Sequence, residues 1–297
     1  MREISRPSTA NCTLSMYISY ILSEPKYINC SRLGELMNIS HDSVNRFLNR
    51  ENLTPKDLFL EAKSQLNLEG GVLSVDDTIL DKPYSYHMDL VDHFWSGKHH
   101  RSVKGINLIT LYYTDLNNNH LPVNYRIYDK SEGKTKNDYF QDMLLEVLNW
   151  GVKPNFVTGD SWYSCVSNLK MIINHQLGFM FALKSNRLVS IEKGTYLQIQ
   201  NLDIPTEGLE VWLRDFGYVK VFRTMLKDQQ RHYAVSFPDD QQLKSCDRDI
   251  FIKLHEQHWQ IEQYHRVIKQ VCHIEHFQVR SQIAIRNHIF SSVVMYV

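Results

Sequence analysis

Four acidic residues stand where rigid backbone can aim them at one point. Asp76 and Asp77 close the run Val72-Leu73-Ser74-Val75 and precede Thr78, and Asp160 follows Gly159 at the end of Asn155-Phe156-Val157-Thr158. A carboxylate directly after a buried strand is anchored by the sheet. Hard divalent cations take such oxygen ligands, Mg²⁺ typically with one or two carboxylates plus substrate phosphates. Glu262 lies in a long helical run, from about 248 to 271, where His255, His258, Trp259, Glu262, Arg266 and Lys269 fall on one stripe by i+3 and i+4 steps. Such a face offers one anion for a metal and several cations for phosphate, although a polar helix face standing alone is more often only solvated. A histidine metal site at His255, His258 and His265 is disfavoured, since there are no cysteine partners and the nearby acids are of the Mg²⁺ type.

The elements that must position these acids follow from periodicity and breakers. Residues 1–70 read as helical, with Leu33, Leu36, Ile39, Val44, Phe47 and Leu48 near a 3.6 period broken at 38–41. A short helix, a turn and a second helix capped by Ser40 or Asp42 are expected there. The polar side of the second carries Ser43, Asn45, Arg46, Asn49 and Arg50, as in a helix-turn-helix, although 8 basic and 8 acidic residues balance over this stretch. After Gly70-Gly71 come a strand ending at the first acids and a hairpin of 105–115 and 120–128 around Asn117-Asn118-Asn119. A helix at 136–150, a strand at 155–158, a helix at 163–175 and a strand at 178–183 complete the order βββ, then αβαβ. This is an α/β pattern with a mixed sheet, whose ligands gather at strand ends. Short alternating runs from about 188 to 240 read as an all-β insertion before the Glu262 helix.

The composition bounds the partners. The chain has 297 residues, 43% hydrophobic and 22% charged, as expected of a globular protein with a sizeable core. Its 33 basic residues cancel 33 acidic ones, so a polyanion must be met by a local patch. Lys98, Arg101 and Lys104 form one such patch, and Lys184 with Arg187 follows a predicted strand near the acids. Five widely spaced cysteines without a C-x-x-C pair read as reduced thiols, and no signal core or membrane span is visible, so a cytoplasmic setting is expected. The apolar ending at 289–297 is expected of a truncated chain.

The acids and their flanks together resemble the DDE-class insertion-sequence transposases. The motifs are VDDT at 75–78, VTGDSWY at 157–163, FALKSNR at 181–187, the β insertion, and WQIEQYHRVIK at 259–269. Each alone is weak; together they cover about 71–269. The resemblance implies a ribonuclease H-like sheet interrupted by a β insertion and preceded by a helical DNA-binding region. Its units would be 1–70, 71–187, 188–245 and 246–297. In the Tyr-Arg-Glu-Lys subgroup, Glu262 and Lys269 match at the required spacing, whereas His255 and His258 stand at the Tyr and Arg positions. Protonated His258 would replace part of the arginine's phosphate contacts.

The activity so implied is cleavage at transposon ends and strand transfer into target DNA. Asp76 or Asp77, Asp160 and Glu262 would hold two Mg²⁺ ions, with Mn²⁺ able to substitute, for in-line displacement at phosphorus. Implied partners are double-stranded DNA, as terminal inverted repeats and target, and a second copy of the chain; the setting is the bacterial nucleoid. His255, His258, Arg266, Lys269, Lys98, Arg101, Lys104, Lys184, Arg187, Asn45 and Arg46 are the DNA-binding candidates, with Trp212 as the insertion aromatic that would stack on a flipped base. A large buried aromatic is the plainer role for Trp212. Two alternatives stay open at this point: a nuclease of the same fold that cuts without joining, and an inactive DNA-binding remnant.

Overall fold

The computed structural model describes residues 11–24, 28–97, 100–192, 194–226 and 229–297. Four helices come first: α1 (Leu14–Ser23), α2 (Cys30–Met37), α3 (His41–Arg50) and α4 (Pro55–Ala62). Ser40 caps α3, its hydroxyl accepting from Asp42 N. Asn38 ends α2 in the left-handed region, which an asparagine tolerates, so the α2–α3 turn forms where the period breaks. Ser43, expected on the polar side of α3, is instead buried, its hydroxyl accepting from the backbone N–H groups of Asn11 and Cys12. Asn45 and Arg46 remain exposed.

The sheet begins with β1 (Val72–Asp81), β2 (Asp92–Ser96), β3 (Arg101–Thr114) and β4 (His120–Ile127). It continues through α5 (Lys136–Asn149), β5 (Phe156–Gly159), α6 (Val166–Asn174) and β6 (Gly178–Leu183). The expected three leading strands are four. β2 lacks the alternation that marks a strand, and it forms by pairing with the first part of β3, Ser96 opposite Arg101. β7 (Leu188–Ser190), β8 (Leu197–Gln198), β9 (Leu209–Leu213), β10 (Gly217–Leu226) and β11 (Gln229–Ser236) follow. Helices α7 (Asp240–Ser245), α8 (Arg248–Gln270) and α9 (Gln282–Val294) close the chain. Among the described residues the strands make one eleven-stranded sheet in the order β2-β3-β1-β5-β6-β11-β10-β9-β7-β8, with β4 on β3. The strands of the insertion thus continue the core sheet past β6.

Helices cover the central strands on both faces. On one side Phe140, Met143 and Leu144 of α5 and Leu169 and Ile172 of α6 pack on Leu73, Val75, Val157 and Phe181. On the other, Ile261, Tyr264 and Ile268 of α8 and Ile285 and Ile289 of α9 pack on Leu80, Ile106, Leu108 and Tyr112. β1, β5 and β6 are parallel in the middle, and strands buried on both faces are apolar at nearly every position. α9 also fastens the N-terminal helices. Asn287 donates to the carbonyls of Leu48 and Glu51, and His288 Nδ1 lies 2.8 Å from the Tyr17 hydroxyl. These contacts tie the end of α3 and the body of α1 to the last helix. Among the described residues no helix is long and apolar enough to cross a membrane.

Candidate active site

β1 does not end at the acids as its sequence suggested. It pairs with β3 along its whole length, from Val72 opposite Thr114 to Asp81 opposite Gly105, whereas its parallel partner β5 stops at Val75 opposite Gly159. Asp76 and Asp77 therefore sit mid-strand, just where the parallel neighbour ends and a crevice opens. Gly159 is needed there: a Cβ would lie 2.5 Å from Phe181 Cε1 and 2.7 Å from Val75 Cγ1. Close packing before Asp160 thus requires the glycine of the VTGD motif.

Alternation separates the two neighbouring aspartates. Ser74 and Thr158 meet across β1 and β5 at 2.8 Å, and Thr158 Oγ1 is 3.2 Å from His258 Nδ1 of α8. Asp76 shares that α8 face. Its Oδ2 lies 3.4 Å from Nδ1 of the buried His265, and its Oδ1 accepts the N–H of Asp77. Asp77 points to the α5 face with Leu73 and Val75, where its carboxylate accepts three hydrogen bonds. Lys136 Nζ at 2.7 Å, Asn107 Nδ2 at 2.6 Å and the Tyr163 hydroxyl at 3.0 Å all donate to it. The ion pair is only 14% exposed on each side. The spacing of an acid, one residue and Thr78 favours Asp76, with Asp77 nearly as good; in the structure Asp77 is engaged by three donors and Asp76 by fewer.

Asp76, Asp77, Asp160 and Glu262 line one cleft of about 960 Å³ with Lys136, Trp162 and Lys269. Burial, then the proximity of Glu262 and Asp77, pushes the Asp76 carboxyl well above the usual range. Burial, then Asp76 and Asp77, pushes Asp160 up to about 7, although Trp162 N donates to its Oδ1 at 2.8 Å. Desolvated like charges without a counter-ion raise one another in this way. Among the described residues no three of these side chains converge closely enough to enclose an ion as they stand. The donor set nevertheless fits a hard divalent cation: carboxylate oxygens only, two of them on rigid strands, repelling one another until a positive charge arrives.

The remaining candidates divide. Lys269 lines the cleft, donating to the Ile79 carbonyl at 2.5 Å and pairing with Glu275 at 3.1 Å. Arg266 projects from α8 into solvent. His255 packs edge-on against Tyr233, its Nε2 3.2 Å from that hydroxyl. Burial, then His255 and His265, pulls His258 down to about 4, so the protonated His258 expected at a phosphate is absent near neutral pH. The cause is its place under α8 against Thr158 rather than on the solvent stripe. Lys184 and Arg187 line an adjoining cavity, Arg101 is exposed at the start of β3, and Lys104 lies over the Tyr86 ring. Lys98 falls outside the described residues. Trp212, 38% exposed, stacks edge-on with Tyr218 on β9 and β10 and lines neither the cleft nor the adjoining cavity.

Sequence reasoning missed Lys136 and the place of Trp162. A signal for the first existed: Lys136 opens α5 directly after its cap Thr135, where the helix dipole disfavours a cation, so a nearby acid must offset it. Trp162, the tryptophan of the VTGDSWY motif, stands at the wall of the cleft.

The sequence matches the family model described as transposase DDE domain over residues 68–297, from before β1 through α9. No curated protein matches it. Among solved structures, the piggyBac transposase synaptic complex with hairpin DNA covers 100% of this chain and 68% of its own, at 11% identity and a TM-score of 0.55, a likeness of fold. The Drosophila P element transposase strand transfer complex covers 64% of this chain and 48% of its own, at 10% identity and a TM-score of 0.33. A Tyr-Arg-Glu-Lys subgroup rests on Glu262 and Lys269 alone, since His255 and His258 turn inward. With the acids on one cleft of a ribonuclease H-like sheet and the match spanning every strand and helix that carries them, the chain belongs to the transposase DDE domain family.

Proposed function

We propose that the chain is a DNA transposase that cleaves phosphodiester bonds at the ends of its element and joins the freed 3′ ends to target DNA. The observation that carries this reading is that Asp76, Asp160 and Glu262, far apart in sequence, line one cleft, where burial and neighbouring carboxylates raise both aspartates above the usual carboxyl range. These three would hold Mg²⁺ or Mn²⁺. A bound divalent ion supplies Lewis acidity toward the phosphate and lowers the pKa of the attacking hydroxyl group. The chain's own work is positional. β1 and β5 fix two ligands with sheet-level rigidity, and α8 brings the third. Asp77, Lys136, Asn107 and Tyr163 brace β1 at the edge of the cleft, so the cleft keeps its shape when charge enters it. The cleft contains the cations Lys130, Lys136 and Lys269, each already paired with a carboxylate, which limits its pull on the DNA backbone to what those pairs leave over. Exposed Asn45 and Arg46 on α3 are the proposed contacts to duplex DNA, and a second copy of the chain would serve the second element end, by family analogy.

The test is a strand-cleavage and strand-joining assay on DNA carrying the element's ends, with Mg²⁺ or Mn²⁺. Joined products from the wild type that vanish with Asp160→Asn, while DNA binding persists, are expected. Binding without cutting or joining by the wild type would overturn the proposal, and cutting without joining would make the chain a nuclease.

A further inference from the structure

α8 brings a second group to the cleft one turn beyond Glu262. His265 is only 6% exposed, yet it lines the cleft, and its Nδ1 lies 3.4 Å from Asp76 Oδ2. The other two histidines of the helix turn to hydroxyls, His255 to Tyr233 and His258 to Thr158, whereas His265 turns to a carboxylate. Its other nitrogen, Nε2, is fully buried and has no hydrogen-bond partner among the described residues. The ring is held in place by the burial of its helix neighbours, Ile261, Tyr264 and Ile268, against the sheet. A neutral imidazole has one N–H and one lone pair to place. A proton on Nε2 would meet no acceptor and would leave the Nδ1 lone pair facing carboxylate oxygen. On Nδ1 the same proton faces Asp76, and a hydrogen bond to an ionised carboxylate is among the stronger ones.

This placement also decides against His265 as a metal ligand. A histidine that binds metal through Nδ1 carries its proton on Nε2, and that N–H almost always donates to a partner, which Nε2 lacks here. We propose that His265 is a positioning residue, whose Nδ1–H donates to Oδ2 of ionised Asp76 and fixes that carboxylate for a divalent cation without touching the ion. The proposal rests on the reading of Asp76 as a metal ligand. Asp76 is then held at both oxygens, Oδ1 by the Asp77 N–H and Oδ2 by His265, and each oxygen keeps a lone pair for the cation. Three residues apart on one helix face, Glu262 and His265 deliver a ligand and the group that orients the ligand opposite. The separation of β1 from α8 is thereby set where the cation must fit between them.

The experiment titrates the full chain, without DNA, with Mn²⁺ and follows the free ion by electron paramagnetic resonance. His265→Asn sets an amide N–H close to the place of Nδ1, His265→Gln sets it farther out, near Nε2, and His265→Leu has none. The Leu and Gln variants are expected to bind Mn²⁺ roughly 10- to 100-fold more weakly than the wild type, and His265→Asn should recover most of the loss. Pulsed spectra of the Mn²⁺-loaded wild type should show no nitrogen coupled to the ion. Nitrogen coupling that disappears in His265→Leu would make the histidine a ligand and overturn the proposal. Equal loss in the Asn, Gln and Leu variants, with lowered melting in EDTA, would reduce His265 to a packing role and overturn it too. Should His265→Leu fail to fold, the contrast between Asn and Gln decides, and equal affinities count against the proposal. Mn²⁺ binding lost in Asp76→Asn and Asp160→Asn but unchanged in all three His265 variants sinks this proposal alone. Binding that depends on His265 in a chain that neither cuts nor joins DNA sustains it and sinks the transposase reading, and a wild type that binds no Mn²⁺ sinks both.

Discussion

The acidic cleft and the cavity next to it share a wall, yet they hold opposite charge. In the cleft, carboxylates outnumber cations and the cations are paired; in the cavity, cations outnumber acids. The contrast comes from how each is built. The acids of the cleft are delivered by strands and the middle of a helix, so they are held together against their own repulsion. The cations of the cavity come from loops after β6 and β9.

The largest expected effect breaks the cleft alone. Asp76→Asn, Asp160→Asn and Glu262→Gln should each lower strand cleavage at least about 10³-fold, more than the loss of one hydrogen-bond donor at a catalytic site costs, while DNA binding in EDTA stays at the wild-type level. Asp77→Asn should behave differently, destabilising the fold by about 3 kcal/mol in chemical denaturation, because it strips the buried Lys136 ammonium of its counter-charge. A variant as stable as the wild type but inactive would make Asp77 a ligand after all. The next effect is pH-dependent. Asp160 titrates near 7 in the folded chain against about 3.9 unfolded, so between those values the native state holds the extra proton. Stability of the metal-free protein should therefore fall as pH rises from about 4 to about 7, by at most about 1.4 kcal/mol per pH unit. Asp160→Asn should flatten that slope in thermal melts, and an unchanged slope would remove Asp160 from the repulsive group. The smallest effect belongs to Trp212→Ala, which loses one edge-on ring contact at the surface and should cost under about 1 kcal/mol, with cleavage unchanged.

Much of this arrangement was legible in the residues. Gly178 to Leu183 forms β6 with the expected bounds, and the run from 248 is one helix because its apolar positions Phe251, Leu254, Ile261, Tyr264 and Ile268 keep the helical period. Asp76, Asp77 and Asp160 stand out because each follows an apolar run closed by Asp, and Glu262 because it shares one helical stripe with His and basic residues. What stayed hidden depended on partners distant in sequence. The choice between Asp76 and Asp77 is made by Lys136, Asn107 and Tyr163, none of which lies near them in the chain. β2 exists only because β3 extends to Arg101 to receive it. The polar stripe on α8 was read as facing DNA, yet at His258 and His255 it faces the sheet, since helical periodicity gives the angle between side chains but not which side meets the core. Nothing in the residues around Trp162 signals its exposure, and only the packing around Asp160 shows it standing in the open.

The most direct measurement is calorimetric titration of the full chain with Mn²⁺ at pH 8, beside Asp160→Asn, Asp76→Asn and Asp77→Asn. Saturable binding by the wild type and by Asp77→Asn, with loss in the other two, is the expected result. Equal Mn²⁺ binding by all four proteins, or binding lost only with Asp77→Asn, would contradict the assignment of Asp76 and Asp160 as the seat of the metal.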